Sequence, residues 1–302
     1  MKHLIAAAIG AVLLTAAGSA QDEIEITPAA ENVVYGMVSG AAMLMDVYAP
    51  TGESNGLGVI VVPGSGFFRP MIYSAPPLKD LEGYDYMRAV VQALNADGFT
   101  AFVINHRSSP GNQFPAAVND TRRAVRFVRF AADQFGIDPD RIGALGHSSG
   151  GNLAAMAALM DDAPGEGVDP VDQTSAALQA YVGIAAPYVF TGDPNEANSY
   201  AAQTIVMYLG EPYWGMDNHF RTQAPLVVQA SPATYADAND PPLYLIDSAD
   251  DPIVPTAQAD QMIAVLEEAG ATYTHVRTEG GQHDPDFDMA EMTAWLEAVL
   301  SE

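Results

Sequence analysis

The chain has 302 residues, 49% of them hydrophobic, enough to bury a full core in one large α/β domain or two smaller ones. It contains no cysteine, which excludes disulfides, thiolate metal sites, a lipidated N-terminus and a cysteine nucleophile. Twelve Lys and Arg stand against 38 Asp and Glu for a net charge of −26, a field that argues against nucleic acid and anionic membranes as partners.

Such acidity suits adaptation to high salt, where a short Debye length screens self-repulsion, or an ordinary acidic exported protein. Export is also the message of residues 1–20, MKHLIAAAIGAVLLTAAGSA. Lys2, the apolar run from Leu4 to Leu14 and the small residues Gly18-Ser19-Ala20 predict a secretory signal peptide cleaved after Ala20. The protein is therefore expected in the periplasm or outside the cell. The alternative, an N-terminal anchor, has an apolar run that is short for a span, and no run of 18 apolar residues follows.

From Gln21 to Glu31 the sequence is acidic and reads as a loose start. Met43 to Tyr48 alternates as a strand and stops at Pro50, while LGVIVV is a continuous apolar run suited to a strand covered on both faces. Tyr84 to Ala96 has helical periodicity, FTAFVINH reads as a buried strand, and Pro115 to Phe135 predicts one long helix. Arg122, Arg123, Arg126 and Arg129 share a face of that helix; a binding patch is the alternative, and a solvated face neutralising nearby acids is the expectation. RIGAL, LQAYVGIAA, PPLYLIDSA and TYTHVR read as further strands, with helices after the first of them and over Thr256–Ala269 and Met289–Leu300. This alternation predicts an open, mainly parallel sheet with helices on both faces and antiparallel additions near Met43. Residues 187–240 lack a clean period and are expected to form a small, partly helical cap over the strand ends.

Chemistry enters at GHSSG, residues 146–150. Gly-x-Ser-x-Gly fits only with Ser148 at the centre, because placing Ser149 there puts His147 where a glycine is needed. An alcohol needs a base and a group to orient that base. LYLIDSADDPIVP offers Asp247, Asp250 and Asp251 at a strand end; Asp251 is the first choice and Asp250 the near alternative. Any of the three taken singly reads equally as a loop-capping residue. Of the six histidines, only His283 occupies the loop between the last strand and the last helix. Pro63-Gly64-Ser65-Gly66 follows a buried strand, and small residues there let backbone N–H groups face a developing oxyanion, joined by the N–H of Ser149. The loop lacks both GxGxxG spacing and a Walker lysine, which argues against a phosphate cradle.

VPGSGF, AFVINHR, FPAAVNDTRRAVRFVR, FGIDPDRIGALGHSSGG, DPPLYLIDSADDPIVP and GGQHD together resemble the α/β-hydrolase esterases of the feruloyl/acetyl-xylan esterase (BD-FAE-like) and hormone-sensitive-lipase-like type. The similarity runs from about Met43 to Leu300. It implies an α/β-hydrolase fold with an eight-stranded sheet, a Ser148–Asp251–His283 triad, and oxyanion donors from Ser65, Gly66 and Ser149. Two departures stand out. The usual His-Gly-Gly-Gly is Pro63-Gly64-Ser65-Gly66, which blurs the donor assignment by one residue, and the usual His-Gly before the acid is Asp247-Ser248.

The expectation is a serine ester hydrolase that uses no cofactor and no metal and acts on small-molecule esters, including acetyl or feruloyl esters of polysaccharides. Phe67 and Phe68 are expected to wall the substrate pocket, with core packing the competing role for one of them; Tyr213 and Trp214 are expected to line it from the cap, with packing within the cap as their alternative. A prolyl-oligopeptidase-type peptidase normally brings a large N-terminal propeller that this sequence lacks. A non-catalytic binding module of this fold usually has lost a triad member.

Overall fold

The computed structural model describes residues 26–72, 74–162, 164–165, 168–190, 204–205, 207–210 and 225–302. The segment read as a signal peptide, and Tyr213 and Trp214, lie outside them. The strands are β1 (Ala30–Val38), β2 (Ala41–Tyr48), β3 (Gly58–Val62), β4 (Thr100–Ile104), β5 (Ile142–His147), β6 (Ala180–Ile184), β7 (Leu243–Ser248) and β8 (Tyr273–Thr278). They form one open eight-stranded sheet in the order β1-β2-β4-β3-β5-β6-β7-β8. β2 runs antiparallel to β1 and β4; every other pairing is parallel. This is the α/β-hydrolase fold.

Helices α1 (Asp85–Ala96), α2 (Ala116–Phe130), α3 (Ala132–Phe135), α4 (Ser149–Leu159), α5 (Pro225–Gln229), α6 (Ala257–Ala269) and α7 (Met289–Leu300) connect and cover the strands. Every residue of β3, β4, β5, β6 and β7 is buried, which is why these strands are continuous apolar runs rather than alternating ones. Successive side chains still part to opposite faces. Val59 and Val61 pack with Val90 and Leu94 of α1 and Leu296 of α7, whereas Ile60 and Val62 pack with Val125 of α2, Leu153 of α4 and Met262 of α6.

Three features depart from the sequence reading. β1 is a nine-residue edge strand that begins at Ala30, inside the segment expected to be loose. Register shifts between Ala30 and Val33 and between Val34 and Gly36 break its alternation, so its pattern hides the strand. The expected long helix breaks at Ala131 into α2 and α3. The arginines of α2 neutralise nearby acids, as expected, but from a half-buried face rather than a solvated one. Arg123 pairs with Asp169 and Asp172, Arg126 with Asp162, and Arg122 and Arg129 donate to the carbonyls of Asp161 and Ser175. They fasten the connection between α4 and β6 to α2. Within the insertion, Phe190, Tyr208, Leu209 and Val227 are buried in the main core cluster.

Candidate active site

β5 ends at His147, α4 starts at Ser149, and Ser148 between them has φ 54° and ψ −126°. A non-glycine residue held at such a positive φ costs on the order of 1–3 kcal/mol, so its surroundings must impose it. They do. Ser148 N donates to the Ile184 carbonyl on β6 at 2.8 Å. A Cβ on Gly146 would lie 2.3 Å from the Gly150 carbonyl oxygen, and one on Gly150 would lie 2.0 Å from that of Val62. The two glycines stand where β3, β5 and α4 touch backbone to backbone, and that contact fixes the register that puts Ser148 at the apex.

Two loops at the same end of the sheet meet Ser148. His283, in the loop after β8, places Nε2 2.9 Å from Ser148 Oγ and Nδ1 2.8 Å from Asp251 Oδ2. The other oxygen of Asp251 accepts from the backbone amides of Ile253 at 2.7 Å and Val254 at 3.0 Å. The capping role and the orienting role thus coexist in one residue, one oxygen each. Asp251 is buried and Asp250 exposed, which separates the two alternatives. Asp247 is not part of this chain of bonds; its carboxylate is taken by His275 and Arg277. With a proton on Nδ1 held towards Asp251, the Nε2 lone pair faces the Ser148 hydroxyl, an arrangement able to remove its proton as the oxygen attacks a carbonyl.

The oxyanion loop needs correction. The Ser65 amide was expected to face the oxyanion, but it donates to the Ser149 hydroxyl at 2.9 Å and is already committed. The amides of Gly66 and Ser149 donate to no acceptor among the described residues. The loop is held by Ser109, whose amide and hydroxyl both donate to the Phe67 carbonyl at 2.8 Å. Phe67 is also not an open pocket wall. Its ring is 3% exposed and stacks on Tyr208 with centroids 4.0 Å apart, locking the insertion onto the oxyanion loop. Phe68 is partly exposed.

Sequence reasoning missed His147. It is 1% exposed, its Nε2 sits 2.9 Å from the His283 carbonyl oxygen and 3.2 Å from Asp284 Oδ1, and its Nδ1 is bonded to the Tyr84 hydroxyl. Its ring packs 4.8 Å from that of His283. Tyr86 adds a hydrogen bond to the Pro285 carbonyl at 3.0 Å. The bond from His147 holds the Asp284 carboxyl below its usual range, and burial pushes both tyrosine hydroxyls well above theirs, so they remain protonated donors. A polar residue closing an otherwise apolar strand was the available signal. Among the described residues no cluster of three His, Asp or Glu could hold a metal, and no helix is long and apolar enough to cross a membrane.

Comparison with known proteins agrees with this fold. The family model described as BD-FAE matches residues 45–266. Esterase LipQ of Mycobacterium tuberculosis is 30% identical over 261 residues, covering 83% of this chain and 58% of LipQ. Esterase LipC of the same organism is 27% identical over 243 residues, covering 78% and 54%. The chain spans about half the length of the curated relatives it matches. Among solved structures, a truncated carbohydrate esterase from gut microbiota superposes with TM-score 0.75 at 24% identity, covering 94% of this chain and all of that one. An acetyl ester-xyloside bifunctional hydrolase from Caldicellulosiruptor lactoaceticus gives 0.68 at 22% identity, covering 91% and 94%.

Proposed function

The chain belongs to the BD-FAE family, and from that premise we propose that it is a serine carboxylester hydrolase working through an acyl-enzyme. The observation that carries the reading is the Ser148–His283–Asp251 chain of hydrogen bonds on a strained elbow. His283 takes the Ser148 proton as Oγ attacks the ester carbonyl, and Asp251 keeps the imidazole in the tautomer that can do so and stabilises its cation. The tetrahedral oxyanion rests on the amides of Gly66 and Ser149. His283 then returns the proton to the leaving alcohol, and water cleaves the acyl-enzyme by the same steps in reverse roles.

The substrates are small acyl or aryl esters. The names of the structural neighbours, a carbohydrate esterase and an acetyl ester-xyloside hydrolase, support acetyl groups on polysaccharide fragments, with feruloyl groups the alternative that the sequence resemblance implies. The leader-like residues 1–20 support export, with the mature protein starting at Gln21, which N-terminal sequencing of the periplasmic or secreted form checks. The central test is labelling with a fluorophosphonate probe alongside 4-nitrophenyl acetate hydrolysis. The wild type is expected to label and turn over, and Ser148→Ala to lose both. Retention of more than a few per cent of activity in Ser148→Ala sinks the mechanism.

A further inference from the structure

The oxyanion loop continues into Phe68 and Arg69, and Arg69 differs from every other basic residue described. Lys2 and Arg221 lie outside the described residues. Of the rest, Lys79, Arg88, Arg107, Arg123, Arg126, Arg141 and Arg277 each ion-pair with an aspartate, and Arg122 and Arg129 donate to backbone carbonyls. Among the described residues only the Arg69 side chain has no hydrogen bond and no ion pair, although carboxylates outnumber basic groups more than threefold. Its Nε is buried without a partner.

Burial pulls the Arg69 guanidinium below the usual arginine range, and the field of Asp80 only partly opposes this. Asp80 makes no ion pair with Arg69; its carboxylate is engaged by Lys79 Nζ at 2.6 Å. Nor does the nearby imidazole supply counter-charge. His106 is fully buried, gives Nδ1–H to the Arg107 carbonyl at 2.9 Å, and is held neutral chiefly by burial and further by Arg69 itself, leaving Nε2 without a partner. The Ser109 carbonyl oxygen accepts from the Arg69 amide at 3.0 Å, which fixes the backbone but not the charge.

Placement gives the unpaired charge a use. Arg69 is three positions beyond Gly66, so their Cα atoms are at most about 11 Å apart. That is within the span of one small ester molecule. The chain surfaces immediately afterwards, with Pro70, Met71 and Ile72 exposed. From this we infer that Arg69 forms an anion subsite beside the oxyanion loop, which selects esters carrying a carboxylate elsewhere in the molecule. The inference rests on the esterase reading. A guanidinium whose Nε is buried and which has no partner among the described residues accepts a carboxylate with part of its desolvation already met, and it stands as a local cation against the −26 field that otherwise disfavours an anionic substrate.

The test compares matched esters. On the alcohol side, 4-acetoxybenzoate is set against its neutral methyl ester; on the acyl side, mono-4-nitrophenyl adipate against 4-nitrophenyl hexanoate. In Arg69→Gln the anionic-to-neutral ratio of kcat/KM is expected to fall about tenfold or more in at least one pair, since a charge-assisted hydrogen bond is lost. Arg69→Lys is expected to restore part of it, and 0.5 M NaCl to narrow the wild-type ratio. Overturning results are a ratio unchanged in both pairs, or an equal fall for both members of each pair, which assigns Arg69 to the fold or the oxyanion. Loss of the esterase reading shows separately, as wild-type protein that neither hydrolyses 4-nitrophenyl acetate nor labels with the fluorophosphonate.

Discussion

Two aspartate–histidine pairs sit at the β7–β8 end of the sheet, four residues apart along one of them. Asp251 meets His283 Nδ1 at 2.8 Å, and Asp247 meets His275 Nε2 at 3.0 Å. What surrounds each carboxylate makes them different. Asp247 also takes Arg277 on both oxygens, at 3.0 and 2.6 Å, and Arg277 reaches on to Asp260 of α6. Its charge is neutralised where it stands, and the pair ties β7, β8 and α6 together. Asp251 receives two backbone amides instead, which satisfy an oxygen without cancelling its charge. The negative field is left for the imidazole, whose other nitrogen faces Ser148. A carboxylate–imidazole contact therefore identifies nothing alone; the second partner on each side decides between a tie and a relay.

The sharpest way to break this contrast is to exchange acid for amide at each site. Asp251→Asn is expected to lower kcat by about three to four orders of magnitude, because the amide favours the wrong tautomer of His283. Asp247→Asn is expected to leave kcat within about threefold, since Asp247 touches neither the base nor the elbow. Steady-state kinetics on 4-nitrophenyl acetate decides. Comparable losses at both positions would remove the distinction.

A third imidazole sharpens it further. His147 makes no bond to Ser148 or Asp251, but it holds the carbonyl of His283 itself. Replacing it by Phe keeps the packed ring and deletes the bonds to His283, Asp284 and Tyr84. The base then sits on a loosened loop, and kcat is expected to fall about 10- to 100-fold with KM little changed, as small misplacements of a catalytic group do. A circular-dichroism melt of the same sample separates loss of positioning from loss of fold. Unchanged kcat would demote His147 to core packing.

How legible these differences were depends on the range of the contacts. The parallel strands announced themselves because burial on both faces leaves mostly apolar residues, and Ser148 was singled out because the two glycines its elbow requires are its close neighbours in sequence. β1 was missed because its bulges destroy the period that reveals a strand. The fate of the Ser65 amide depends on the Ser149 hydroxyl, 84 residues away, and that of His147 on a carbonyl 136 residues away. The α2 arginines were expected to meet acids but read as solvated, because the particular carboxylates and carbonyls that half-bury them come from an unpatterned connection. Sequence spacing carries local sterics well and carries nothing of a hydrogen bond closed between distant loops.

The stability side of the comparison predicts smaller effects, in the opposite order. Removing the charge of Asp247 strands Arg277, whose side chain is 32% exposed and keeps Asp260. Against the 3–5 kcal/mol for breaking a fully buried pair, solvent screening reduces the expected loss to about 2 kcal/mol, roughly 3–6 °C in Tm.

This loss has a pH signature. Burial alone would raise the Asp247 carboxyl, but the hydrogen bonds from His275 and Arg277 outweigh it and hold the group below its usual value. A carboxyl depressed in the folded state contributes its stability in full above the unfolded value of about 3.9, and loses it as pH falls from there through the folded value. The gap in urea midpoint between wild type and Asp247→Asn is therefore expected to be constant from pH 7 to pH 5 and to shrink below about pH 4. Wild type falls towards the variant rather than the variant rising, because only the wild type has the proton to take up at that site. A gap that stays constant down to pH 3 would mean that Arg277 and His275 do not stabilise the ionised form, and that the two carboxylates are less different than their partners indicate.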